Sequence, residues 1–252
     1  MIHDHPDRRH TLPWRAMLSS TGALARPGAV RLRRRRRALG SLAVWAPLGL
    51  GAAPALAAPF AYVSNFGADT VSVIDTATNR VVATVPVGHL PYGVAAHPAG
   101  TFVYVANCSN DDYACLSDVS TAFPEVNGSV SVIETATNTV VTTVPVGVDP
   151  FGVAVHPAGT FVYVANFDGT VSVVDTVTHR VVATVPTDGG ATGVAVHPAG
   201  TFVYATNFGG PGGRAVSVIS TADHTVVATV HIGDREFPEG IAVCTQPGRF
   251  ST

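Results

Sequence analysis

Beyond residue 57 the chain alternates apolar and polar positions in short runs, and the runs recur in a fixed order. One complete unit reads GVAVHP (152–157), FVYVAN (161–166), TVSVVDT (170–176) and RVVATVP (180–186). Each run is rich in Val, Thr, Tyr and Phe with apolar side chains at alternate positions, the period and composition of β-strands. Pro-Ala-Gly, Asp-Gly and DTATN-like segments separate them, and these residue types turn a chain by fixing or freeing φ. No segment after the first 57 residues has helical periodicity. The predicted class is all-β.

The unit repeats. GVAAHPAGTFVYVAN at 93–107 and GVAVHPAGTFVYATN at 193–207 are near copies of 152–166. A fourth copy is divided, with FAYVSN at 60–65 and GIAV at 240–243. Tyr163 to Tyr204 is 41 residues and Tyr62 to Tyr104 is 42, while Tyr104 to Tyr163 is 59 because the second copy carries an insertion. Four strands every ~40–45 residues is the spacing of a β-propeller blade. Pro86, Pro145 and Pro186 end the fourth runs, and proline belongs on an edge strand, so the fourth run is outermost and GVAVHP innermost. The reading is a small propeller of four blades with four antiparallel strands each: 240–247 with 60–88, then 91–147, 150–186 and 191–233. In it the C-terminal strand closes the first blade and removes an open sheet edge.

FVYVANFDGTVSVVDTVTHRVVATVPT, with its parallels YVSN, YVAN and YATN, resembles the YVTN-type β-propeller repeat over residues 60–243. The resemblance implies a secreted or cell-surface propeller. Related propellers include surface-layer proteins, binding scaffolds, lactonases and redox-enzyme domains, so it leaves function open. Such propellers usually have more blades than four; a fragment of a larger propeller, or two chains assembling into one larger ring, also fits.

The first 57 residues stand apart. Arg31 and Arg33 to Arg37 precede an uncharged apolar stretch, 38–57, that ends Ala55-Leu56-Ala57. This is the layout of a signal peptide with a basic n-region and a cleavage site after Ala57. A retained anchor is the alternative, and Pro47, Pro54 and the glycines at 40, 49 and 51 count against a long helix. Met17 is a second candidate start, and Arg35-Arg36 permits twin-arginine export as well as the general route. The expected location is periplasmic or extracellular, with no membrane span in the mature chain. Cleavage would leave residues 58–252 with five arginines, no lysine and 15 acids, a formal charge of −10. A surface this acidic repels phosphate backbones, so no nucleic acid is expected as a partner. In an oxidising compartment Cys108 and Cys115, in CSNDDYAC, pair as a local disulfide, and Cys244 stays a buried free thiol.

Variable loops on a repeating scaffold are where function concentrates. The fourth-to-first and second-to-third connections share one face, here called upper, and hold all the irregularity. The candidate binding residues there are Tyr92, Phe151, Arg214, Arg235 and Glu239, because aromatic and arginine side chains anchor recognition surfaces. Asp111, Asp112, Asp118 and Glu125 in the insertion are a weak calcium site or a solvated acidic loop; no other cofactor is implied. His97, His156 and His197 share one repeat position with Cys244 and read as turn residues before a soft-metal ring. The repeated Asn65, Asn107, Asn166 and Asn207 read as caps of the following turn, and Asp75, Glu134 and Asp175 also as turn residues. No nucleophile elbow, zincin helix, Walker loop or haem-attachment motif occurs, and no catalytic residue is assigned. The expected function is a secreted, non-catalytic binding or scaffold module whose partner is an unknown protein or extracellular ligand. The alternative is a lactonase-like, metal-dependent hydrolase using Asp149, Asp188, Asp234 and Glu239.

Overall fold

The computed structural model describes residues 59–108, 127–209, 214–233 and 238–244, all within the unit Pro54–Thr252. The expected leader (1–57), the acidic insertion and Arg235 lie outside these residues. Fifteen strands follow one another: β1 (Phe60–Asn65), β2 (Thr70–Asp75), β3 (Arg80–Pro86), β4 (Pro91–Ala96), β5 (Phe102–Asn107), β6 (Asn127–Glu134), β7 (Thr139–Val148), β8 (Pro150–Val155), β9 (Phe161–Asn166), β10 (Thr170–Asp175), β11 (Arg180–Pro186), β12 (Gly190–Val196), β13 (Phe202–Phe208), β14 (Arg214–Ser220) and β15 (Val226–Gly233). A single 3-10 turn, Phe66–Ala68, is the one helical element among the described residues.

The strands form four antiparallel sheets in chain order, the meander of a propeller blade. β4–β7, β8–β11 and β12–β15 are four-stranded, and β3, β7 and β11, which carry Pro86, Pro145 and Pro186, are outer edges as expected. Pro145 lies inside β7 rather than at its end. There it opposes Ser129 on an edge strand whose other side needs no amide donor.

The first sheet departs from expectation. Among the described residues it holds β1-β2-β3, and Gly240–Cys244 carries no strand assignment. Pro238 and Glu239 lie instead against β12: Thr192 Oγ1 donates to the Pro238 carbonyl at 2.8 Å. Cys244 is a free thiol as expected, but it is exposed rather than buried, because its segment pairs with no sheet.

The core is a set of slabs between consecutive sheets. Val71, Val73 and Val85 of the first sheet pack on Val103, Val105 and Ile133 of the second. Tyr104, Val130 and Val132 pack on Val162, Val164 and Val174 of the third. Tyr163, Val171 and Val173 pack on Val203, Ala205 and Ile219 of the fourth. β9 and β10, with a sheet on either side, bury residues of both faces. That explains why the middle strands are almost continuously apolar while outer strands such as β11 alternate.

The inner strands approach one another backbone to backbone. A bulge interrupts each of them, between Pro91 and Val94, Pro150 and Val153, and Ala191 and Val194. Each bulge holds the repeat glycine. A Cβ on Gly93 would lie 2.2 Å from the Phe151 carbonyl oxygen, on Gly152 2.9 Å from that of Thr192, and on Gly193 2.3 Å from that of Glu239. The invariant letter of GVAV is therefore a steric requirement of blade stacking.

Candidate functional site

On the lower face the histidines join blade to blade. His156 Nδ1 accepts the Ala158 amide at 3.1 Å, within its own turn. That leaves Nε2 as the protonated nitrogen, and it lies 2.9 Å from the Gly200 carbonyl of the next blade. His97 makes the same pair with Ala99 and with Gly159, and His197 accepts from Ala199. The turn role holds, and an inter-blade bond is added to it. Thr135, Thr176 and Thr221 tie a second turn to each Pro-Ala-Gly turn through the carbonyls of Gly100, Gly159 and Gly200. Asp75 and Asp175 accept amides of the turns they open, and Glu134 accepts the Thr137 hydroxyl.

The asparagines are structural by a different bond from the expected one. Asn166 Nδ2 donates to Thr170 Oγ1 and Ser172 Oγ across the sheet, at 3.0 and 2.9 Å. Asn65, Asn107 and Asn207 do likewise to Ser72, Ser131 and Ser217. The partner in each blade is a serine on the third strand.

The upper face carries a row of rings that crosses all four blades. Phe66 meets Tyr92 at a centroid distance of 5.6 Å, Tyr92 meets Phe151 at 4.9 Å, Phe151 meets Phe167 at 5.9 Å, and Phe167 meets Phe208 at 5.7 Å. The Arg214 guanidinium lies 5.4 Å over the Phe208 ring, within cation–π reach. Most of these pairs are edge-to-face, the arrangement ring quadrupoles favour. Tyr92 and Phe167 remain 42% and 37% exposed, so the row is both the lid of the core and a solvent-facing surface.

Of the five residues expected at this face, Tyr92, Phe151 and Arg214 share the row. Glu239 is exposed next to the fourth blade, and Arg235 lies outside the described residues. Phe66, Phe167 and Phe208 were not expected. Each directly follows the second-strand asparagine, so the dipeptide Asn-Phe at 65–66, 166–167 and 207–208 was their signal. In the second blade Cys108 takes that place. It is buried with Leu90 against Phe66 and Phe151, its sulfur 3.0 Å from Asp149 Oδ1. Its expected partner Cys115 lies outside the described residues, as do Asp111, Asp112, Asp118 and Glu125.

The acids beside the row hold loops. Asp168 accepts the Val148 amide and the Thr170 hydroxyl. Asp69 accepts the Leu90 amide through Oδ1 and pairs through Oδ2 with His89 Nδ1, both at 2.9 Å. The Leu90 amide first, and His89 second, hold the Asp69 carboxyl below its ordinary value. A depressed carboxylate stabilises the fold above its unfolded value of about 4 and loses that contribution as pH falls through the lower folded value. Asp69→Ala should therefore melt below wild type at neutral pH, and the two melting temperatures should converge on acidification below about pH 4. A gap that persists there would mean Asp69 acts through packing. Among the described residues no three His, Cys, Asp or Glu side chains are grouped as a metal site.

No family model matches the sequence, and no curated protein matches it. Among solved structures, hydrazine synthase from Kuenenia stuttgartiensis is similar, with a TM-score of 0.59 and 27% sequence identity over 69% of this chain. The match spans 46% of the matched chain, so this chain corresponds to less than half of that chain's length. The likeness supports the propeller architecture given by the sheets.

Proposed function

We propose that this chain is a secreted, non-catalytic propeller of the YVTN-repeat type that binds a protein or other extracellular ligand through its upper face. The observation that carries the reading is the ring row from Phe66 to Phe208 with Arg214 at its end. Soluble proteins seldom expose connected aromatic surface without a use for it, and Tyr and Arg are over-represented among residues that dominate binding energy. On the lower face His97, His156 and His197 and Thr135, Thr176 and Thr221 are committed to turns, and the Phe102 and Phe161 rings pair with His179 and His224. A basic leader ending in a cleavage pattern and an acidic mature chain fit export.

The test is capture from native extracellular material by wild type, by Phe167→Ala/Arg214→Ala, and by Ala158→Glu as the lower-face control. The row variant should lose the captured ligand by roughly 30-fold, the ~2 kcal/mol of a hot-spot truncation, while Ala158→Glu retains it. Loss confined to Ala158→Glu would put the binding surface on the other face.

A further inference from the structure

The two ends of the blade series are complementary. At one end β1 is, among the described residues, the unpaired edge of its sheet, where β4, β8 and β12 stand in the other three. Phe60 and Val63 on this edge are 47% and 44% exposed. Beside it Ser64, Phe66, Pro91 and Tyr92 line a groove of about 270 Å³. On the lower face an added Cβ on Gly100 meets nothing within 4 Å, whereas the equivalent Gly159 and Gly200 each lie under the histidine of the preceding blade.

At the other end Pro238–Cys244 runs on beyond the fourth sheet without a strand assignment. Glu239 meets Gly193 as Phe151 meets Gly93, so Glu239 stands where the residue before the glycine of a next inner strand would stand. The segment's half-buried and exposed residues alternate from Ile241 to Cys244, as in a strand awaiting a partner. Gly240, the fourth repeat glycine, has nothing within 4 Å. Within one chain this segment meets the fourth blade through Pro238 and Glu239 and forms no ladder with β1.

We propose that Gly240–Cys244 of one chain adds to β1 of a second copy, and that the exchange is mutual. The register follows from β8 and β9, where Val153 opposes Val164 and Ala154 opposes Tyr163. By the repeat, Ile241 opposes Val63, Ala242 opposes Tyr62 and Cys244 faces Phe60. Gly240 then meets the Tyr92 carbonyl across the groove, and Cys244 comes over Gly100 where a histidine stands elsewhere. The junction continues the three blade interfaces already present. Two copies satisfy both ends twice under two-fold symmetry, and two sets of four blades give a ring within the usual range of about four to eight.

Light scattering on the purified protein should give twice the chain mass, and Ile241→Asp should return it to one. Phe60→Cys places a thiol opposite native Cys244. After co-refolding of nitrogen-15 and unlabelled protein and mild oxidation, peptide mapping should join position 60 to Cys244, with about half of the linked peptides carrying one label of each kind. A monomeric mass, links only between peptides of the same label, or a dimer without that link would each overturn the proposal. The first two would leave the edge open or closed by the chain's own tail, and the third would put the dimer contact elsewhere.

Discussion

Gly93→Ala should destabilise the protein by about 3 kcal/mol, the upper part of the range for overpacking a tight site. In an ordinary strand the same change would be neutral or favourable by ~0.4–1 kcal/mol, because alanine has less unfolded-state entropy to lose. The sign reverses here because the added Cβ would stand 2.2 Å from the Phe151 carbonyl oxygen and 3.0 Å from the Val153 amide nitrogen. Both are main-chain atoms, so no rotamer change relieves the contact. The inner strands β4 and β8 must separate, which loosens the Tyr92–Phe151 ring pair above them. Gly152→Ala, with main-chain contacts of 2.9 and 3.0 Å, should cost less. Gly67→Ala, with nothing within 4 Å, should cost nothing. Denaturant midpoints of the three variants should fall in that order. Equal midpoints for Gly93→Ala and Gly67→Ala would show that the blades are not in backbone contact.

Strand order, the outer position of the prolines and the turn histidines were readable because they are periodic or tied to a local rule. Val162 and Val173 announce burial by composition, and Pro86 announces an edge because it lacks an amide. The ring row was only half readable. Tyr92 and Phe151 stood out beside the strand glycine, but Phe66, Phe167 and Phe208 each stand just past the second-strand asparagine, where no alternation singles them out. Superposing the repeats at Asn65, Asn166 and Asn207 brings them into line. Closure was readable only as alternatives. Counting strands says that Gly240–Cys244 could complete the first blade, but the angle between blades depends on what separates them. Glycines bring the inner strands into contact, while tyrosine and valine hold the outer parts of the sheets apart, and that wedge is a property of packing rather than of pattern.

Tyr163→Ala should cost ~3–5 kcal/mol, and Tyr163→Phe should cost nothing or stabilise slightly. The ring is fully buried in the slab between the third and fourth sheets, among Val171, Val173, Val203 and Ile219. Truncation to alanine leaves a cavity that these β-branched neighbours, stiff at χ1, cannot fill. The hydroxyl is a different matter. It is buried without a hydrogen-bond partner, so it carries a desolvation cost that phenylalanine avoids. The same burial pushes its pKa up to about 12. With the folded value above the unfolded value of about 10, the neutral ring's contribution is complete below pH 10 and is lost as pH rises through the folded value. Wild type should therefore lose stability between pH 10 and about 12, with Tyr104, also raised to about 12 by burial, adding to the loss. Tyr163→Phe should lose less across that window, by on the order of 2 kcal/mol. Equilibrium unfolding at neutral and alkaline pH measures both effects. A phenylalanine variant as weak as the alanine variant would mean that the hydroxyl has a partner holding the third and fourth blades together.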